Sequence, residues 1–162
     1  MSHLHDHLRE AVRCPLPDTL EVIGDRWSML ILRGAFNGIR HFDSFQSELG
    51  IARNILSNRL HKLVDNGIFR REPCEHDRRM VEYRLTEKAI DLLPALIALR
   101  QWGEKYTSNV PSSPVLVDAR DRMPIARLQP HAHDGRALEY SDLDWEEAAR
   151  VGKKGAGRDE CC

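Results

Sequence analysis

The 162-residue sequence predicts a mainly α-helical domain with one β-hairpin, an α+β fold in which the hairpin stands out as a wing. Three observations point to it. Between Leu20 and Val64, apolar residues return at the i, i+3, i+4 and i+7 spacing of helices. Between Ile68 and Leu85, two alternating runs flank a polar tip, as in a hairpin. After Thr86, helical spacing resumes through Ile90, Leu93, Leu96 and Ile97.

The elements follow in order. In "LPDTLEVIG", Pro17 and Asp18 suit a helix start, and Leu20, Ile23 and Gly24 outline a short first helix. A second helix runs from Asp25 with Trp27, Leu30, Ile31 and Phe36 near helical spacing, and Asn37-Gly38 stops it. "RHFDSFQSELG" is a short third helix, with Asp43 or Ser44 as its cap. Phe42, Phe45 and Leu49 face inward, and Gly50 stands where a C-terminal glycine belongs. The fourth, "ARNILSNRLHKLVDNG", buries Leu56, Leu60, Leu63 and Val64 as one stripe. Its other side carries Arg53, Asn54, Ser57, Asn58 and His61, with Lys62 flanking, and no acid precedes Asp65.

In the hairpin, Ile68, Arg70 and Glu72 alternate with Phe69 and Arg71. Beyond the tip, Met80, Glu82 and Arg84 alternate with Val81, Tyr83 and Leu85. Thr86 with Glu87 caps a long last helix, which Pro94 should kink or start later. "TSNVPSSP" reads as a linker. Residues 1–13 form an N-terminal tail and 14–106 the main domain. Residues 107–150 form a small β-containing extension, with strand-like runs at Val115 to Asp118 and Ile125 to Leu128. Residues 151–162 form a charged tail expected to lack fixed structure.

Composition narrows the function. The chain is 41% hydrophobic and 30% charged, with a formal net charge of −1, so any attraction to nucleic acid must come from a local basic surface. No apolar run approaches the ~20 residues of a membrane span. "MSHLHDHLRE" has no apolar signal core, which predicts a cytoplasmic protein. Cys14, Cys74, Cys161 and Cys162 form no CxxC pair, and His3, His5 and His7 read as a solvated tail, so neither a metal site nor a cofactor is expected. Glu48, His61, His76 and Asp77 fall on a helix face or a hairpin tip with no nucleophile motif beside them, so no catalytic residues are assigned and no enzyme is expected.

Helix, helix, short helix, longer helix, hairpin, long helix is the order of a winged helix-turn-helix. In that fold the second helix of the turn motif enters the DNA major groove and the hairpin follows the backbone. Alone, the fourth helix would pass for an ordinary solvated amphipathic helix. Followed by a basic hairpin, it is better read as a DNA-reading helix. Arginine can bridge guanine O6 and N7, and asparagine adenine N6 and N7. Arg53, Asn54, Ser57 and Asn58 are therefore the expected base readers. Arg40, Lys62, Arg78 and Arg79 are the expected phosphate contacts. The hairpin acids Glu72, Glu75, Asp77 and Glu82 keep a salt-bridged surface hairpin in competition. A winged helix used only for protein contacts is a further alternative.

From Cys14 to about Tyr106 the sequence closely resembles the HxlR family of bacterial winged-helix transcriptional regulators. The matching marks are Cys14-Pro15, "IGDRW", "LILRGAFNGIRHFDSF", "LSNRLHKLVDNGIF" and "VEYRLTEKA". The resemblance implies a homodimer joined through its first and last helices. It implies double-stranded DNA as the ligand, with a pseudo-palindromic operator, and a repressor or activator role without enzymatic activity. In some members a cysteine matching Cys14 senses electrophiles or oxidants. Cys14 also lies between Arg13 and Pro15 near a helix start, where a cation and the helix end favour thiolate. Cys14 is therefore the redox-switch candidate, with a small-molecule effector as the alternative signal. The wing tip "PCEHDRR" and the extension after Val110 depart from the family pattern.

Overall fold

Four helices, a two-stranded hairpin and two further helices succeed one another along the N-terminal part of the chain. They are α1 (Leu16–Ile23), α2 (Arg26–Phe36), α3 (Phe42–Leu49), α4 (Arg53–Asp65), β1 (Phe69–Pro73), β2 (Val81–Leu85), α5 (Glu87–Ile90) and α6 (Leu93–Gly103). The computed structural model describes residues 14–74, 80–108, 113–145 and 151–152. The chain divides into two units, Met1–Val115 and Leu116–Cys162.

Local chemistry places the helix ends. Asp25 caps α2 by accepting from the amides of Trp27 and Ser28. Gly50 closes α3 in the left-handed conformation at φ 58°. Thr86 caps α5 through the Ala89 amide. Pro94 sits in the first turn of α6, where a missing N–H costs nothing, so it moves the helix start and splits the expected long helix in two.

The hairpin pairs Phe69 with Leu85 and Glu72 with Glu82 in antiparallel register. A third segment joins it. The Tyr83 amide donates to the Arg40 carbonyl at 2.8 Å, and His41 bridges Glu82. This pairing corrects the expected start of α3. His41, in extended backbone, holds the cap position without a side-chain bond, and Asp43 and Ser44 fall inside the first turn. The tertiary pairing fixes the entry of the chain, so no capping side chain is needed. Asp43 still favours the positive helix end.

Beneath these elements lies one core. Ile31, Leu32, Phe45, Leu56, Leu60, Leu63, Ile68 and Phe69 are shut away from water. Each such side chain contributes about 1.5–3 kcal/mol through removal of apolar surface from water. Phe69 meets Phe45 and Tyr83 edge to face, with ring centres 6.4 and 6.5 Å apart. The α2 face differs from its expected one. Ser28, Ile31, Leu32, Gly34 and Ala35 are buried, while Trp27, Leu30 and Phe36 are half-buried. A Cβ on Gly34 would stand 3.2 Å from Ile39 and 3.3 Å from Phe45, so glycine lets α2 approach α3 closely.

The described residues of the second unit form a short 3-10 helix, Tyr140–Asp142, and tight turns. Val117 bridges Pro124 around one, and His131 bridges Ala137 around another that contains Gly135 at φ 84°. The runs expected as strands do meet, through the Ile125 amide and the Leu116 carbonyl at 3.2 Å, but only as an isolated bridge. Among its described residues no side chain is buried, so no packed face extends the pairing into a ladder.

Candidate nucleic-acid interface

On α4, Leu56, Leu60 and Leu63 are buried, which turns Arg53, Asn54, Ser57, Asn58 and His61 outward together. The first turn holds no acid, and Ala52 at the cap offers no side-chain acceptor. This row is an uninterrupted set of donors and acceptors, with a cation at its N-terminal end. The helix is tethered at its other end. Asn66 Nδ2 donates to the Lys62 carbonyl at 2.8 Å, Thr86 Oγ1 to the Gly67 carbonyl at 2.7 Å, and Lys88 Nζ to the Asn66 carbonyl at 2.9 Å. The last two bonds come from the start of α5.

Arg53 rests against α3. Its guanidinium carbon is 4.9 Å from the Phe42 ring centre, and Nη1 is 3.9 Å from Asp43 Oδ1. Arg40 is exposed, and its carbonyl is engaged with β2. His61 lies 3.8 Å from Asp65, with both side chains exposed.

Sequence reasoning missed the contact at the middle of α4. Arg59 Nε donates to Asp25 Oδ1 at 2.9 Å, and Lys62 Nζ stands 4.0 Å from Asp25 Oδ2. The same carboxylate accepts the Ser28 hydroxyl at 2.6 Å and the Ser28 and Trp27 amides at 3.0 and 3.1 Å. Burial pushes the Asp25 pKa up. The Ser28 hydrogen bonds and the Arg59 guanidinium outweigh that and hold it below the ordinary carboxylate value. The capping role of Asp25 can be inferred from its place before a helix. Its partner Arg59 lies 34 residues further on, and no local pattern reports it. Lys62, expected at a phosphate, is half-buried with its ammonium on the Asp25 side of the helix.

Across the hairpin, the outer face is an ion-pair network. Arg70 Nε is 2.7 Å from Glu72, and Arg84 lies 3.4 Å from Glu72 and 2.8 Å from Glu82. Two of the hairpin arginines therefore meet carboxylates within the wing. Burial raises the Glu82 pKa, but hydrogen bonds from Cys74 and Arg84, with the Arg84 and His41 charges, bring it below its ordinary value. Arg78 and Arg79 lie outside the described residues, as do Cys161 and Cys162. Cys14 is an exposed free thiol two residues before α1. Among the described residues, no group of three or more His, Cys, Asp or Glu could hold a metal ion, and no helix is long and apolar enough to cross a membrane.

Comparison with known proteins bears on this geometry. The family described as HxlR-like helix-turn-helix matches residues 22–111. An uncharacterized HTH-type transcriptional regulator of Mycobacterium tuberculosis, Rv3095, is 46% identical over 96 residues, which cover 59% of this chain and 61% of that protein. The match thus spans about three fifths of the length of such curated relatives. The crystal structure of PA1607, a candidate transcription factor, superposes with a TM-score of 0.77 at 44% identity, covering 83% of this chain and 95% of that one. The redox regulator HypR in its oxidized form gives a TM-score of 0.54 at 32% identity, covering 59% and 99%.

Proposed function

Because the chain belongs to the HxlR-like helix-turn-helix family, we propose that it is a sequence-specific, DNA-binding transcriptional regulator acting in the cytoplasm as a repressor. The observation that carries this reading is the outward row Arg53, Asn54, Ser57 and Asn58 on a helix whose opposite face is locked in the core. Arginine and asparagine near the start of such a helix can form bidentate pairs with base edges in the major groove. Arg40 and the wing-tip Arg78 and Arg79 hold phosphates and fix the register.

The acting species is a homodimer. In support, α1 exposes Leu16 and Leu20, and the last helical segment exposes Leu99, Trp102 and Tyr106. Apolar side chains at both ends of the domain favour a partner that covers them. Two-fold symmetry then calls for a pseudo-palindromic operator with half-sites about 34 Å apart or a multiple of that.

The test is fluorescence anisotropy of the reduced protein against DNA from upstream of its own gene, at two salt concentrations with random DNA as competitor. Tight, salt-sensitive binding that survives the competitor is expected. Binding no better than to random DNA would sink the reading and favour a winged helix that works through protein contacts.

A second reading concerns the signal. Cys14 is an exposed thiol beside the helix that the dimer would use, and the similar HypR is a redox regulator. Oxidation or electrophile attack at Cys14 would then alter the dimer and release DNA. A Cys14→Ser variant that lets go of DNA under a quinone as readily as wild type removes Cys14 from the mechanism.

A further inference from the structure

We propose that Asp25 is a positioning residue for DNA reading: it clamps α4 through Arg59 and withholds the Lys62 charge from phosphate. The proposal rests on the DNA-reading function of α4 given above.

Asp25 sits at the joint between α1 and α2, and both of its oxygens are used. One accepts the two α2 amides and Arg59 Nε at 2.9 Å. The other accepts the Ser28 hydroxyl at 2.6 Å and faces Lys62 Nζ at 4.0 Å. One carboxylate thus ends α2 and holds two successive cations of the reading helix. Asp25, Arg59 and Lys62 are all about one-third exposed, so water screens the contact less than on an open surface.

The clamp has a consequence for specificity. Lys62 is one turn beyond Asn58, on the edge between the reading face and Asp25. An ammonium on a four-carbon stem could swing from one side to the other. Turned to DNA it would add affinity for any sequence, because phosphate contacts carry no base information. Held by Asp25, it contributes to the placing of α4 and leaves discrimination to Arg53, Asn54, Ser57 and Asn58. The same carboxylate thus joins the start of α2 to the helix that reads.

The decisive variants are Asp25→Asn, Lys62→Gln and the double variant in the full chain, measured on upstream and random duplexes over a range of salt. Asparagine keeps the helix cap and removes the charge. With Asp25→Asn, random-DNA binding should tighten at low salt, and its log K should fall more steeply with log salt by about 0.9, the signature of one added phosphate contact. That is about a 3.5-fold greater loss of affinity for a fourfold rise in salt. The preference for upstream DNA should shrink. Lys62→Gln should cancel the added slope in the double variant and leave the wild-type slope unchanged. A merely structural Asp25 would weaken both duplexes with no change of slope. That result overturns the proposal, as does a wild-type slope that flattens by about 0.9 with Lys62→Gln alone. Wild-type protein that ignores DNA at every salt overturns the DNA-reading function and the clamp together. Specific wild-type binding with an unmoved Asp25→Asn slope overturns the clamp alone.

Discussion

The guanidinium of Arg53 lies over the ring of Phe42, 4.9 Å from its centre, so the first residue of α4 stacks on the first residue of α3. A cation–π contact of this kind takes up no hydrogen-bond acceptor, so the guanidinium can still donate to a base. The Asp43 contact at 3.9 Å is fully at the surface, with Asp43 91% exposed, and a contact of that kind contributes little. Arg53 is thus held in place without being consumed. Arg53→Ala should weaken binding to the upstream site by about 1–3 kcal/mol and relax sequence preference. Arg53→Lys should not restore it, since lysine lacks the bidentate fork. Competition anisotropy against operator variants reads both effects.

The wing-tip arginines should behave differently. Arg78→Ala or Arg79→Ala should weaken upstream and random DNA alike and lower the salt slope by about 0.9 each. Loss of sequence preference in either variant would mean that the wing reads bases.

Dimerisation is testable without DNA. Leu99 and Trp102 are 56% and 55% exposed in the single chain. Replacing both by aspartate should move the protein from dimer to monomer in sedimentation velocity. Helix content should stay as in wild type, because α6 contributes no buried residue to the core.

Asp25 also makes a pH prediction. Its folded pKa lies below the ordinary carboxylate value, so its stabilisation is fully present above that range. It is lost as pH falls through the lowered folded value. Wild type should therefore melt above Asp25→Asn near neutrality, and the gap should close below about pH 4. A gap that widens on acidification would contradict the ion pair with Arg59.

Phe45 is fully buried between Gly34 and Phe69. Phe45→Ala should cost about 3–5 kcal/mol in urea unfolding, from lost transfer energy plus the cavity left behind.

Much of this architecture was legible in the sequence because it rests on short-range periodicity. The Leu56, Leu60 and Leu63 stripe fixed which side of α4 faces outward, and Thr86, Gly50 and Pro94 marked helix ends through local chemistry. What escaped was set by partners distant in the chain. His41 starts α3 because it pairs with Glu82. Arg59 pairs with Asp25, 34 residues earlier in the chain. Arg70 and Arg84 meet carboxylates across and along the strands, as the competing salt-bridged reading of the hairpin allowed. Periodicity showed which face was polar, but not which charges on it were already engaged.

Among the described residues from Leu116 onward no side chain is buried, and Val117, Ile125, Ala132 and Leu138 are half-buried. Exposure of apolar surface on unfolding sets both the heat-capacity increment and the steepness of denaturant curves. The described residues of the extension add chain length while adding little to either. Calorimetry of the whole protein should therefore yield a heat-capacity increment suited to a chain ending near Val115. Cutting the chain there should leave the urea m-value nearly unmoved.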